Sequence, residues 1–252
     1  MSLNERWGAT WRAIGAAPPR DLFDDVIGRY SEQHRRYHTQ RHLEECFEVL
    51  DAVRGEAERP AEVELALWFH DAVYDPRRHD NERRSAEWAR SVADRAGLDT
   101  LVGERVAALI MATRHDATPV GADSCVLVDV DLSILGAEAQ RFDEYERDVR
   151  AEYDWVPQAV FRRERRKILE QILGRERIYS TQRMRESHEA HARENLTRSL
   201  TTLARRKPRP VPVALALAVV ACGVTGFFVE GPLWLAFAAA GVVVLLYELA
   251  AP

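Results

Sequence analysis

Hydrophobic residues recur at helical spacing along most of the chain. One stripe comprises Leu43, Cys46, Phe47, Leu50 and Val53, and the next comprises Val63, Ala66, Leu67, His70 and Val73. Proline and glycine interrupt the pattern at 18–19, 55–60, 76, 97, 119–121, 136 and 174. The alternation at 126–130 is also compatible with a strand, but no second strand-like segment offers it a partner, so we expect a buried helix there. This part of the chain is therefore predicted to be all-α.

Two apolar runs, 211–229 and 233–250, occupy the end of the chain. Each is close to the roughly 20 residues that an α-helix needs to cross a bilayer, and only 230–232 separate them. A transmembrane hairpin explains two such runs in tandem better than a buried helical hairpin, which stays the alternative. We predict a helical domain over 1–204, followed by a basic juxtamembrane segment and the transmembrane hairpin over 205–252.

Charge is distributed as unevenly as hydropathy. The 252 residues include 35 basic and 40 acidic ones, and this net charge of −5 argues against a nucleic-acid partner held by phosphate contacts. Beyond 209 the only charged residues are Glu230 and Glu248, so 1–209 carry 35 basic and 38 acidic groups. Basic residues precede the first apolar run, at Arg205, Arg206, Lys207 and Arg209. Since basic flanks stay on the cytoplasmic side, we expect a membrane protein whose domain and both termini are cytoplasmic.

The cysteines are odd in number and far apart, at Cys46, Cys125 and Cys222. They form no CxxC pair and no disulfide framework, which suits a reducing compartment. We expect all three to be small apolar packing residues and not nucleophiles.

A histidine and an aspartate stand together at the end of an apolar stretch. His70 follows 65–69 on the buried side of its predicted helix, and Asp71 is next to it. Burial of both costs free energy unless each has a partner. A divalent metal ion would partner both, through imidazole nitrogen and carboxylate oxygen. His42, 28 positions before His70, flanks the apolar stripe of its own helix and can also point inward.

Two further aspartates, Asp129 and Asp131, lie in the apolar segment 126–135. On a helix, the neighbours of Asp131 at three and four residues are all apolar, whereas those of Asp129 include Ser133. We therefore expect Asp131 to be the more deeply buried of the two and the better cation ligand, with Asp129 as the alternative.

Four motifs follow one another along the chain. They are Tyr-His-Thr-Gln-Arg-His at 37–42, Trp-Phe-His-Asp-Ala-Val-Tyr-Asp-Pro at 68–76, Asp-Asn-Glu-Arg-Arg-Ser-Ala at 80–86 and Asp-Val-Asp-Leu-Ser-Ile-Leu-Gly at 129–136. This series resembles the HD-domain superfamily of metal-dependent phosphohydrolases, and more closely one branch of uncharacterised predicted HD phosphohydrolases. The resemblance covers roughly residues 4–200 and leaves the hairpin outside.

The resemblance implies an HD-type helical bundle with one divalent cation held by His42, His70, Asp71 and Asp131. Mixed imidazole and carboxylate ligands suit manganese, iron, cobalt, nickel or zinc. Such an ion would polarise a phosphoryl oxygen and lower the pKa of a bound water that attacks phosphorus.

Two acids are candidates for acting on that water. Asp75 is one turn beyond Asp71, and Glu82 follows a proline-containing loop, although both could also be plain surface acids. HD hydrolases of the alarmone (p)ppGpp usually continue the His-Asp pair as HDxxED. Here Tyr74 stands in place of the first acid and Asp75 keeps the second, which argues against alarmone hydrolysis.

Histidines near the motifs are candidates for supporting roles. His115 could ligate a second metal or donate a hydrogen bond to phosphate. Only His79 and His115 lie between the His-Asp pair and the last aspartate, so one metal is the expectation. His38, one turn before His42, is either a support for a ligand or a structural residue.

The sequence therefore predicts a metal-dependent phosphohydrolase that acts on a nucleotide or another small phosphate ester at the cytoplasmic face of a membrane. Whether the ester is a phosphomonoester or a phosphodiester stays open, as do the natural substrate and the oligomeric state. The alternatives are a non-catalytic HD-fold ligand sensor and a membrane-anchored interaction module.

Overall fold

Ten α-helices and two short 3₁₀ helices form the part of the chain that the structure, a computed structural model, describes, namely residues 1–204. The α-helices are α1 (Leu3–Ile14), α2 (Leu22–Arg29), α3 (Gln40–Val53), α4 (Pro60–Phe69), α5 (Asn81–Arg95), α6 (Thr100–Ala112), α7 (Ala122–Asp131), α8 (Ala139–Glu152), α9 (Gln158–Leu173) and α10 (Gln182–Ala204). The 3₁₀ helices are Arg54–Glu56 and Leu132–Gly136. Residues 1–204 contain no strand, so the all-α prediction is confirmed for them, and 126–130 lie inside α7.

The predicted basic segment and the predicted transmembrane hairpin, residues 205–252, lie outside the described residues. Within 1–204, no helix combines the length and the apolar composition that are needed to cross a bilayer.

Helix α4 runs through the middle of the bundle. Its residues 62–69 are all buried, because apolar side chains dominate every side and its two glutamates pair with arginines from elsewhere in the domain. Trp68 is enclosed by other rings, with centroids 5.0 Å from Trp7 and 4.6 Å from Phe47. Because α4 ends at residue 69, the His-Asp pair at 70–71 emerges directly from this buried helix.

Helix α10 packs against the 3₁₀ helix that follows α7. Asn195 donates hydrogen bonds to the carbonyl oxygens of Leu135 at 2.9 Å and Ala137 at 2.8 Å. Gly136 lies directly against His188 of α10. This contact holds α10 beside the end of α7, where a predicted ligand lies.

Gly136→Ala is expected to lower the free energy of unfolding by about 1–3 kcal/mol. An alanine Cβ here would lie 2.6 Å from Cβ and 2.8 Å from the carbonyl oxygen of His188, and a helix backbone cannot swing aside. Urea unfolding of the full-length protein measures the effect. Gly28→Ala in α2 is the matched control, since nothing lies within 4 Å of its Cβ position. The control should be neutral or slightly stabilised, and equal stabilities of the two variants would contradict the close approach.

Candidate metal centre

The four predicted ligands come from three parts of the chain and meet at one point. His42 lies in the first turn of α3, His70 and Asp71 follow α4, and Asp131 is the last residue of α7. One ligand atom from each residue lies within 4.8 Å of all the others, so the four side chains could share a metal ion.

Five of the six separations between the ligand atoms match those around a small divalent cation. His42 Nε2 is 3.2 Å from His70 Nε2, 3.6 Å from Asp71 Oδ2 and 3.5 Å from Asp131 Oδ1. His70 Nε2 is 3.1 Å from the same Asp71 oxygen and 3.5 Å from the same Asp131 oxygen. Ligand atoms about 2.1 Å from a metal ion are about 3.0 Å apart at octahedral angles and about 3.4 Å apart at tetrahedral ones. The four residues therefore fit one divalent cation.

The imidazoles form the floor of the centre and the carboxylates form its mouth. His42 and His70 are 2% and 1% exposed. The side chains of Asp71 and Asp131 are 17% and 14% exposed. Solvent and small molecules can therefore reach the centre from the carboxylate side.

The orientation of His70 is set by the backbone of α4. Its Nδ1 lies 2.8 Å from the carbonyl oxygen of Leu67, which can only accept, so Nδ1 donates to Leu67 and Nε2 is the nitrogen that faces the other ligands. Behind His42 lies Cys46, with Sγ 3.6 Å from Nδ1. Burial raises the pKa of the Cys46 thiol well above its ordinary value, which suits the packing role predicted for it.

Both carboxylates of the centre are held in the ionised form. Burial alone raises the pKa of Asp131, but hydrogen bonds from His115, His42 and His70 lower it well below its ordinary value. Burial also opposes ionisation of Asp71, and the charge of His70 outweighs it and lowers the pKa. Two ionised carboxylates balance the charge of a divalent cation.

The expected order of burial for Asp129 and Asp131 is wrong. Asp129 is 0% exposed, and its carboxylate accepts hydrogen bonds from the backbone N–H groups of Ser180 and Thr181 and from the Thr181 hydroxyl at 2.7 Å. Because α7 ends at Asp131, the residues after it do not enclose it at helical spacing. Asp131 is thus the more exposed of the two, and it is still the one that joins the ligand group.

His115 lies at the rim of the centre. Its Nε2 is 3.0 Å from Asp131 Oδ2, the oxygen that does not face the two ligand histidines. The backbone of His115 is left-handed, with φ +57, which costs a non-glycine residue about 1 kcal/mol or more. Arg175 donates to its carbonyl oxygen at 3.3 Å and braces this turn.

The two predicted acids, Asp75 and Glu82, contribute no atom to the ligand group. Asp75 Oδ1 accepts the backbone N–H of Arg77 at 2.9 Å, and the backbone of Asp75 exchanges two hydrogen bonds with the Asn81 side chain. Its carboxylate therefore closes the loop between α4 and α5. Glu82 is half-buried in the first turn of α5.

Glu152, the last residue of α8, is a carboxylate beside the centre that sequence reasoning missed. Its side chain is 0% exposed, and Oε1 accepts the backbone N–H groups of Arg36, Tyr37 and His38 at 2.8, 2.9 and 3.0 Å. Oε2 lies 2.7 Å from both the Tyr74 hydroxyl and His38 Nδ1. Burial alone raises the pKa of Glu152, but the charge of His38 and these hydrogen bonds lower it to about 2.

His38 faces the centre from the Glu152 side. Its Nε2 is 4.0 Å from Asp71 Oδ2, its ring centroid is 4.2 Å from that of Tyr74, and its side chain is 21% exposed. Burial alone lowers the pKa of His38, whereas the Glu152 and Asp71 carboxylates raise it above its ordinary value. A divalent cation on Asp71 acts in the opposite direction. Contact with a predicted ligand favours the supporting role for His38 over the purely structural one.

Arg35 fastens the His-Asp turn to the segment that carries His38. Its buried guanidinium donates to the carbonyl oxygens of Asp71 at 2.7 Å, Ala72 at 3.2 Å and His38 at 3.1 Å. The relative positions of Asp71 and His38 therefore depend on one shared donor.

Comparisons with known proteins identify no relative. No family model matches the chain, and neither a curated protein nor a solved structure matches it significantly. The geometry of the centre and the series of motifs are therefore the basis for a functional proposal.

Proposed function

We propose that this protein is an HD-type metal-dependent phosphohydrolase that acts on a nucleotide or another small phosphate ester. The observation that carries the proposal is the group of His42, His70, Asp71 and Asp131, whose ligand atoms have the mutual spacing of a cation's coordination shell. Manganese, iron, cobalt, nickel and zinc are the ions that this donor set suits.

When bound, the cation would polarise a phosphoryl oxygen and lower the pKa of a water that attacks phosphorus. The side chains around it have separate tasks. His42 and His70 would supply nitrogen ligands at the floor, and Asp71 would supply an oxygen ligand at the mouth. His115 orients the carboxylate of Asp131 through its hydrogen bond. With 26% and 21% of their side chains exposed, His115 and His38 flank the opening through which a phosphate group would enter.

The proposed place of action is the cytoplasmic face of a membrane. The support is the sequence, in which two apolar runs at 211–229 and 233–250 follow a basic segment. The bilayer would then be a partner of the hairpin, and the small phosphorylated substrate would reach the centre from the cytoplasm.

A non-catalytic ligand sensor is the second candidate. The observation in its favour concerns Asp75, one of the acids predicted to act on water. Its carboxylate accepts a hydrogen bond from the backbone N–H of Arg77. A sensor of this kind would bind a phosphorylated ligand at the metal centre without converting it.

The proposal is tested with the full-length protein in detergent, by elemental analysis and then by phosphate release from nucleotides, phosphomonoesters and phosphodiesters with each of the five cations. We expect cation-dependent release, lowered at least about 100-fold by His70→Ala, since even the partners of metal ligands contribute 10- to 100-fold. His191→Ala is the matched control, because this histidine is exposed on α10. Release that His70→Ala leaves unchanged would refute the proposal, and binding without product would favour the sensor.

A further inference from the structure

Glu152 dictates how His38 presents its ring to the metal centre. The Glu152 carboxylate lies 2.7 Å from His38 Nδ1 and accepts hydrogen bonds from the Tyr74 hydroxyl and from backbone N–H groups, so Nδ1 is the nitrogen that donates to it. Three backbone N–H groups fix Glu152 itself. With Nδ1 occupied, Nε2 is the nitrogen that faces the centre, 4.0 Å from Asp71 Oδ2.

Tyr74 completes this arrangement. Its hydroxyl donates to the same Glu152 oxygen at 2.7 Å, and its ring lies against the His38 ring. Tyr74 stands where an HDxxED sequence has its first acid, and the second acid, Asp75, is engaged with the loop backbone. On this side of the centre the carboxylate is therefore Glu152 of α8. It contacts His38, and His38 in turn faces the centre.

We propose that His38 is the residue that positions the attacking water, through a hydrogen bond at Nε2, and that Glu152 and Tyr74 are the positioning residues that hold His38. The inference rests on the proposed hydrolase function. It gives His38 the role of acting on the water, for which the sequence pattern offers Asp75 or Glu82. Its basis is the contact between Nδ1 and Glu152, the partial exposure of His38 and the direction of Nε2 toward the mouth of the centre.

The test uses the full-length protein loaded with Mn²⁺, and it measures both cation affinity and phosphate release. His38→Ala should keep Mn²⁺ affinity within about threefold of wild type and lower release by about 10²- to 10⁴-fold, the range for loss of a group that acts on the attacking water. Added imidazole should restore part of the activity, because the vacated space is open to solvent. Imidazole should restore His70→Ala less, because His70 is 1% exposed and the space that it vacates is closed to solvent.

The remaining variants separate positioning from structure. Glu152→Gln should lower release less than His38→Ala does, and Tyr74→Phe should lower it least, because the main contact of His38 stays in place. His38→Asn is the substitute if His38→Ala does not fold. Unchanged release in an active protein without His38, or a loss of Mn²⁺ affinity of more than about tenfold, would overturn the role of His38 alone. A wild-type protein that binds Mn²⁺ and releases no phosphate would overturn the proposed function as well.

Discussion

Asp131→Asn is expected to weaken divalent cation binding at least about 100-fold. The substitution keeps the shape of the side chain but removes the charge that faces His42 and His70, at 3.5 Å from each Nε2 atom. The side chain lies at the mouth of the centre, where water can solvate the new amide.

Asp129→Asn, two positions earlier, is expected to have a different effect. The Asp129 carboxylate is fully buried and accepts hydrogen bonds from Ser180 and Thr181 at the start of α10. An amide turns an N–H₂ group toward these donors and leaves some of them without a partner, at a cost of about 1–3 kcal/mol. The cation affinity of the folded protein should stay near that of wild type.

Calorimetric titration with Zn²⁺ and urea unfolding of both variants distinguish the two roles. Weak binding in Asp129→Asn together with normal binding in Asp131→Asn would reverse the assignment of the ligand. Unchanged stability of Asp129→Asn would contradict the buried hydrogen bonds of the Asp129 carboxylate.

The stability of the protein is expected to fall as the pH drops from about 4.5 toward about 2, with Glu152 as a substantial contributor. Its ordinary pKa of 4.5 is lowered to about 2 in the folded protein. Because the folded pKa is the lower one, ionised Glu152 stabilises the fold above pH 4.5, and this stabilisation is lost as the pH falls through the folded pKa. A shift of this size corresponds to about 3 kcal/mol.

Glu152→Gln should therefore be less stable than wild type at neutral pH and should show a flatter stability profile between about pH 5 and about pH 2. Thermal unfolding across this range measures the difference. Glu176→Gln is the control, since that side chain is 90% exposed. Parallel profiles for wild type and Glu152→Gln would be inconsistent with a buried, ionised Glu152.

The helices and the ligand group are predictable from sequence for a physical reason. A helix that buries one face must repeat apolar residues at its own period, and the stripe that contains Cys46 marks α3 correctly. Helix α4 is buried on every side and is marked by its continuous apolar run, and it ends at residue 69, before the last two residues of the predicted stripe, His70 and Val73. The predicted ligands His42 and His70 lie beside or at the end of these apolar segments, so their inward direction is encoded locally. The four residues predicted as ligands are the four that the structure brings together.

The supporting residues depend on contacts that no local pattern records. Glu152 lies 114 positions from His38, at the end of a polar helix, and its burial comes from segments that pack over it. Asp129 is likewise enclosed by Ser180, 51 positions away. The one sequence signal for the buried Glu152 was Tyr74. A tyrosine at the position of an acid has a hydroxyl that needs its own acceptor, and in the structure that acceptor is Glu152.

The ligand group joins chain segments up to 89 positions apart, from His42 to Asp131. A cation that binds these side chains and not the unfolded chain is a removable cross-link between α3, the end of α4 and α7. At a hundredfold excess over Kd it would add about 2.7 kcal/mol to the stability of the domain. Folding and metal loading are then one coupled equilibrium, so melting temperatures alone would rank the cations before any substrate is known.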